Sequence, residues 1–159
     1  MMIVSLVERG GEVRSFHVAR VNAKNVAPLL REQLSKDARL MTDESHIYKT
    51  IGKEFKSHET VNHSQKEYAR GDVYTNTLES YFNIFKRGLI GTFHHVSEQH
   101  LQRYLREFDF RYNHRETKVK IDGKWVKAGS SDTERADAVL KAIGGKRLTY
   151  RRTAGQQAA

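Results

Sequence analysis

Asp43, in the stretch LMTDES, and Glu79, in NTLES, lie 36 positions apart, and Lys86 follows Glu79 by seven. Two carboxylates that converge could hold Mg²⁺ or Mn²⁺, hard cations that prefer oxygen donors, and ions paired at about 4 Å serve in-line phosphoryl transfer. A lysine beside them could hold a phosphate of a nucleic acid as a point charge. On a helix, Phe82, Phe85 and Leu89 fall within about 40° of Leu78, while Glu79 and Lys86 lie near 100° and about 80° from it. The two charges therefore share one edge of an apolar stripe. Plainer roles compete with this one. An aspartate ahead of a helix is a good N-cap, and Asn76 with Glu79 three positions later fits the capping box, in which the glutamate reaches back to the N–H of the cap residue. Lys86 and Arg87 near a helix C-terminus are favoured by the helix dipole.

The elements that must position these residues are legible in the pattern. VSLVERGGEVRSFHV reads as an antiparallel hairpin turning at Gly10-Gly11, a two-residue turn whose glycines can take positive φ. NAKNVAPLLREQL has Val26, Leu29, Leu30 and Leu34 at helical spacing, with Pro28 expected in the first turn. ARLMTDES predicts a strand ending near Asp43, and Ile47, Ile51 and Phe55 in HIYKTIGKEF predict a helix after it. HETVNHS suggests another short strand, and QKEYARGDVYT a loop. Helices follow over NTLESYFNIFKRG and over SEQHLQRYLREFDFRYNHR, the latter with Leu101, Tyr104, Leu105, Phe108 and Tyr112 on one stripe behind a possible Ser97 cap. Beyond residue 115, KVKIDGKW suggests a hairpin at Asp122-Gly123, SDTERADAVLKAIGG a short helix, and TAGQQAA a frayed end. Strands alternating with helices behind a leading hairpin predict a mixed α/β sheet covered by helices, with sites gathered at strand carboxyl ends.

The chain has 159 residues, enough for one ordinary domain, and no apolar run approaches the roughly 20 residues a bilayer span requires. No secretory signal is legible at the start, so a cytoplasmic location and no membrane partner are expected. There are no cysteines, which excludes disulfides and thiolate zinc sites. The eight histidines show no recognised ligand spacing, so His63, His94, His95 and His100 read as loop or phosphate-contacting residues rather than zinc ligands. Lys and Arg number 28 against 19 acids, a net +9 that attracts polyanions such as DNA. Lys86, Arg87, Arg103, Arg106, Arg111 and Arg115 are interleaved with Tyr81, Tyr104 and Tyr112 across the two late helices. That mixture suits either a DNA-backbone surface or solvated outer faces.

LVERGGEVRSFHV, LMTDES, GKRLTYR and the long stretch from Val61 to Arg115 resemble the catalytic domain of bacterial insertion-sequence transposases of the ISXO-like group. The resemblance implies a ribonuclease H-like fold and the DDE chemistry of transposition, in which acidic residues hold two Mg²⁺ ions for DNA strand cleavage and joining. Carried over by residue, Asp43 resembles the second catalytic aspartate, Glu79 the third acidic residue, and Lys86 the basic residue one helical period later. Some members have asparagine at the third position, so Asn76 stays open as a rival or neighbour of Glu79. The implied partners are the DNA of element ends and target, with a homo-oligomer as a further possibility. The resemblance also implies a first aspartate on a central strand ahead of the hairpin, whereas the sequence opens with MMIVSLVERGG, on the hairpin itself. No aspartate precedes Asp37, and neither Glu8 nor Glu12 fits that motif. The expectation is therefore a partial catalytic domain over residues 1–151 with a disordered tail over 152–159, either a transposase unable to cut alone or a non-catalytic DNA-binding remnant.

Overall fold

In the computed structural model, residues 2–122 and 124–143 are described. They divide between two units, Met1–Asn113 and His114–Ala159.

In the first unit, β-branched residues build the leading hairpin. Strands β1 (Met2–Val7) and β2 (Val13–Val18) run antiparallel, with Val4 opposite Phe16 and Ser5 opposite Ser15. Its turn differs from the two-glycine form. The Gly11 N–H donates to the Glu8 carbonyl at 3.0 Å and the Glu8 N–H to the Glu12 carbonyl at 2.9 Å. The loop is thus Arg9-Gly10-Gly11, and of these only Gly10 takes a positive φ, +72°. One left-handed residue is what a three-residue hairpin loop requires.

Helix α1 (Ala23–Gln33) starts where the Asn22 side chain accepts the Asn25 N–H at 2.9 Å, and it buries Val26 and Leu30. Pro28 stands in its second turn rather than its first. The absent N–H leaves the carbonyl of Lys24, an exposed residue, to solvent. Strands β3 (Arg39–Asp43) and β4 (Ser57–Val61) pair in parallel, with Asp43 opposite Val61. The helix expected between them is only α2 (Tyr48–Ile51), tightening into one 3₁₀ turn at Gly52–Glu54. Ile51 and Phe55 still reach the core, where they cluster with Val4, Val26 and Leu30. The polar stretch after β4, expected as loop, contains a small hairpin of β5 (Ala69–Arg70) and β6 (Val73–Tyr74), turned at Gly71 with φ +62°. Two residues per strand are too few to show a period.

Helix α3 (Asn76–Gly88) buries Tyr81 and Phe85 and runs into one π-helical turn at Leu89–Phe93. A 3₁₀ turn, Glu98–His100, then leads into α4 (Leu101–Asn113). Phe85, Val96, Leu101 and Leu105 form a second core cluster, against which Ile3 of β1 packs. The first hairpin therefore lies between two apolar layers, with Val4 turned to α1 and Ile3 to α3 and α4. Gly88 is where α3 meets α4, since a Cβ added there would run into the Phe108 ring at Cζ.

The outer edge of β2 is closed by side chains of α4. The N–H groups of Val13, Ser15 and His17 donate to Asn113 Oδ1 at 2.7 Å, Asp109 Oδ2 at 2.8 Å and Gln102 Oε1 at 2.9 Å. Asn113 Nδ2 and Gln102 Nε2 donate in return to the carbonyls of Val13 and Ser15. Alternate strand residues meet residues at helical spacing, so the helix stands in for a neighbouring strand.

The mixed α/β class expected from the sequence is present, but not as one continuous sheet. Among the described residues every ladder is two-stranded, and β1 and β3 share no hydrogen bonds. A cavity of about 750 Å³ is lined by both of their edges. In the second unit, β7 (Thr117–Ile121) and β8 (Lys124–Ala128) form the expected antiparallel hairpin, and α5 (Asp132–Ile143) the expected helix. Ser131 and Glu134 make a reciprocal capping box at its start. Gly123 and the stretch from 144 on, including GKRLTYR and the expected tail, lie outside the described residues. No helix among the described residues is long and apolar enough to cross a membrane.

Candidate functional site

Asp43 ends β3 and Glu79 lies in the first turn of α3, and both exposed carboxylates line the cavity between β1 and β3 together with His63 and Thr75. Neither acid is spent on a helix cap. Asp43 Oδ1 accepts the Ser45 N–H at 3.0 Å, closing an Asx turn, while α2 begins at Tyr48 behind Ile47 with no side-chain cap. The capping box proposed for Asn76 and Glu79 is likewise not formed. Thr75 occupies the N-cap and Asn76 is the first helical residue. Glu79 Oε1 instead accepts the Thr75 hydroxyl at 3.1 Å and faces His63 Nε2 at 3.3 Å, while His63 Nε2 also lies 3.0 Å from Thr75 Oγ1.

Glu44 fixes the turn that carries His63. Its carboxylate accepts the N–H groups of His63 at 3.0 Å and Ser64 at 3.1 Å and the Ser64 hydroxyl at 2.6 Å. These bonds, the hydroxyl first, hold the Glu44 carboxyl down at about 2. On the other side of Asp43, burial and then the charge of Asp43 push the Tyr48 phenol up.

Behind the cavity, α3 is pinned by Tyr81. Its hydroxyl donates to Asp109 Oδ1 at 2.6 Å, and the Ser15 hydroxyl lies 2.9 Å from Tyr81 Oη and 2.7 Å from Asp109 Oδ1. Burial, followed by the Asp109 bond, drives the Tyr81 phenol far above its ordinary value. Tyr81 is 1% exposed, so contrary to the expectation from sequence it is not on a DNA-accessible surface. Tyr104 packs on Phe93 at 4.7 Å between ring centres, and Tyr112 meets Tyr81 edge-on at 5.4 Å.

The remaining site candidates fall away from the cavity. Asn76 and Lys86 are exposed on α3 and do not line it. Lys86, Arg87, Arg103 and Arg106 are exposed, and no ion pair among the described residues engages them. Arg111 pairs with Glu107 at 2.6 Å, and exposed Arg115 lies in the second unit. Glu44 and Thr75 were not singled out by sequence, although the adjacency of Glu44 to Asp43 and of Thr75 to Asn76 was a usable signal. Among the described residues no three acids or histidines converge closely enough to form a metal-ligating group.

Residues 1–113, the whole first unit, match the family model of the ISXO2-like transposase domain. The chain belongs to this family. An uncharacterized transposase-like protein of Haemophilus influenzae is 30% identical over 104 residues, covering 65% of this chain and 83% of that protein. No solved structure matches. The matched residues contain Asp43, Glu79 and the cavity. Arg115, β7, β8 and α5 lie beyond them.

Proposed function

We propose that this ISXO2-like transposase domain serves insertion-sequence transposition on a ribonuclease H-like framework, with Asp43 and Glu79 as ligands for Mg²⁺ or Mn²⁺ and DNA as the partner. The observation that carries this reading is that two acids 36 positions apart, one at a strand end and one on a late helix, line a single cavity. Both are accessible oxygen donors, which suits a hard divalent cation, and Mg²⁺ is commonly held by one or two carboxylates together with substrate phosphates. When bound, such an ion would neutralise charge developing on a DNA phosphate and lower the pKa of its water. The chain's own residues hold and orient. His63 and Thr75 fix Glu79, the Ser45 N–H fixes Asp43, and Lys86, Arg87, Arg103 and Arg106 attract the DNA backbone. Asn76 could add an amide oxygen, which binds a cation without neutralising charge.

Glu8 and Glu12 also line the cavity, at its hairpin end, so the metal reading rests on the specific pair Asp43 and Glu79, and with two assigned ligands the expected behaviour is binding of DNA and metal without efficient cleavage. Mn²⁺ binding followed by electron paramagnetic resonance should weaken at least tenfold in both Asp43→Asn and Glu79→Gln. Unchanged affinity in both refutes the metal assignment. In a Mg²⁺ or Mn²⁺ nicking assay, robust cleavage abolished by Asp43→Ala and Glu79→Ala would refute the expected lack of cleavage. The second reading, a non-catalytic DNA-binding remnant, is favoured by the unpaired basic residues of α3 and α4. It predicts salt-dependent DNA affinity together with Mn²⁺ binding indifferent to Asp43.

A further inference from the structure

We propose that Ile90, on the π-helical turn that follows α3, is a wedge that enters duplex DNA between stacked bases and partly unstacks them. Such a wedge rests on the DNA partnership proposed above, and it acts on the shape of the duplex rather than on its charge. Ile90 is 74% exposed, more than any other large apolar residue among those described. An isolated apolar side chain on a solvated face is ordinary. What sets Ile90 apart is its position. On α3, Asn83 and Lys86 stand within about 40° of Glu79, and Ile90, four residues beyond Lys86, continues the same strip into the π-helical turn. All four are exposed. The strip carries Ile90 about 16 Å along the helix from Glu79, the spacing of about five phosphates on one DNA strand. A strand with one phosphate at Glu79 and its backbone along Lys86 runs on to Ile90.

The local backbone turns that side chain outward. Leu89 and Phe93, at the two ends of the π-helical turn, pack on the cluster of Phe85, Val96, Leu101 and Leu105, whereas Ile90 belongs to neither core cluster. π-helical turns are rare and recur at functional sites. This one ends at His94, whose φ of +55° lies in the left-handed region that a residue with a Cβ seldom adopts. At neighbouring Gly91 an added Cβ would meet nothing within 4 Å, so the space beside Ile90 is open to a ligand. Charge decides what that ligand is. Lys86 and Arg87 stand on the helical side of the turn, both exposed and engaged by no ion pair among the described residues. An apolar tip rimmed by cations suits a polyanion with an apolar interior, which is duplex DNA. Isoleucine is among the side chains that DNA-kinking proteins insert between base steps. A protein partner would call for a contiguous apolar patch. Ile84, also exposed on this segment, stands more than about 100° around the helix from Ile90, so the two form no such patch.

The test uses the full chain and a duplex of about 24 base pairs rich in TA steps, which unstack easily, with 2-aminopurine in place of adenine at several of them. Stacking quenches the emission of this base. A fluorescein-labelled copy of the duplex reports binding by anisotropy, in EDTA so that no cleavage intervenes. At saturating protein the 2-aminopurine emission should rise at least twofold. Ile90→Ala should remove most of that rise with unchanged circular dichroism and an unchanged slope of log affinity against log salt, while Ile90→Leu should keep the rise. DNA bound without a rise, or a rise that survives Ile90→Ala, would overturn the wedge and leave the DNA partnership standing. No change in anisotropy would overturn both. A dimer by light scattering that Ile90→Ala splits into monomers would assign the side chain to a second copy of this chain and overturn the wedge.

Discussion

Replacing Tyr81 by phenylalanine isolates the hydroxyl that ties α3, and so Glu79, to the rest of the transposase domain. The ring keeps its packing, and no cavity opens. What disappears is a 2.6 Å bond to the Asp109 carboxylate. Bonds to charged groups contribute about 1.5–3 kcal/mol. Asp109 keeps the Ser15 N–H at 2.8 Å and the Ser15 hydroxyl at 2.7 Å, so the loss belongs near the middle of that range, about 2 kcal/mol. At roughly 4 °C per kcal/mol for a unit of this size, Tm should fall by about 8 °C. Urea unfolding followed by circular dichroism should show a lower midpoint and an unchanged slope. There is also an alkaline signature. The folded phenol titrates above its unfolded value of about 10, so the protonated form is favoured in the native state. Stability is then intact below about pH 10 and is lost as pH rises further toward the raised value, a loss that Tyr81→Phe removes. A destabilisation below about 0.5 kcal/mol, the range of an ordinary surface change, would refute the role given to this hydroxyl.

Glu44 predicts an acid-limb effect of opposite sign: its carboxyl is held at about 2, so the bonds it makes are complete above the usual carboxylate range and lost as pH falls toward that value. The Ser64 amide resonance should follow this titration, and Glu44→Gln should abolish it. Gly88→Ala sets a methyl against the Phe108 ring and should destabilise the domain by about 1–3 kcal/mol in urea unfolding. Pro28→Ala restores a helix donor at an exposed position and should stabilise by about 1–2 kcal/mol, read as a raised Tm. In DNA binding titrated against salt, Arg87→Ala and Arg103→Ala should each flatten the slope of log affinity against log salt by about 1, if each meets a phosphate.

Periodicity located the long elements well. The first hairpin, α3, α4, the β7–β8 hairpin and α5 all follow from alternation or helical spacing, and the fold class from their order. The misses share a physical cause, namely that a local pattern does not reveal its tertiary partner. On α3 the stripe centred on Leu78 is a real face, yet Tyr81 and Phe85 carry the buried side while Leu78 and Phe82 line the cavity. A helical wheel shows which residues stand together, not which neighbour they meet. The period-four run Ile47, Ile51, Phe55 marks core contacts correctly, although only one turn of it is α-helical. Spacing drew attention to Asp43 and Glu79, whereas Glu44, His63 and Thr75 enter through a turn that hydrogen bonds to the cavity wall and leaves no periodic trace.

The α4 clasp on β2 has a temporal side. Its bonds join residues 85 to 100 positions apart. At ribosomal speeds of about 5–20 residues per second, the nascent hairpin waits roughly 5–20 s for its guard to be made. Throughout that interval the β2 edge is open to pairing with neighbouring chains, so slower translation before residue 113 should raise the misassembled fraction, and a chaperone that shields β2 should lower it.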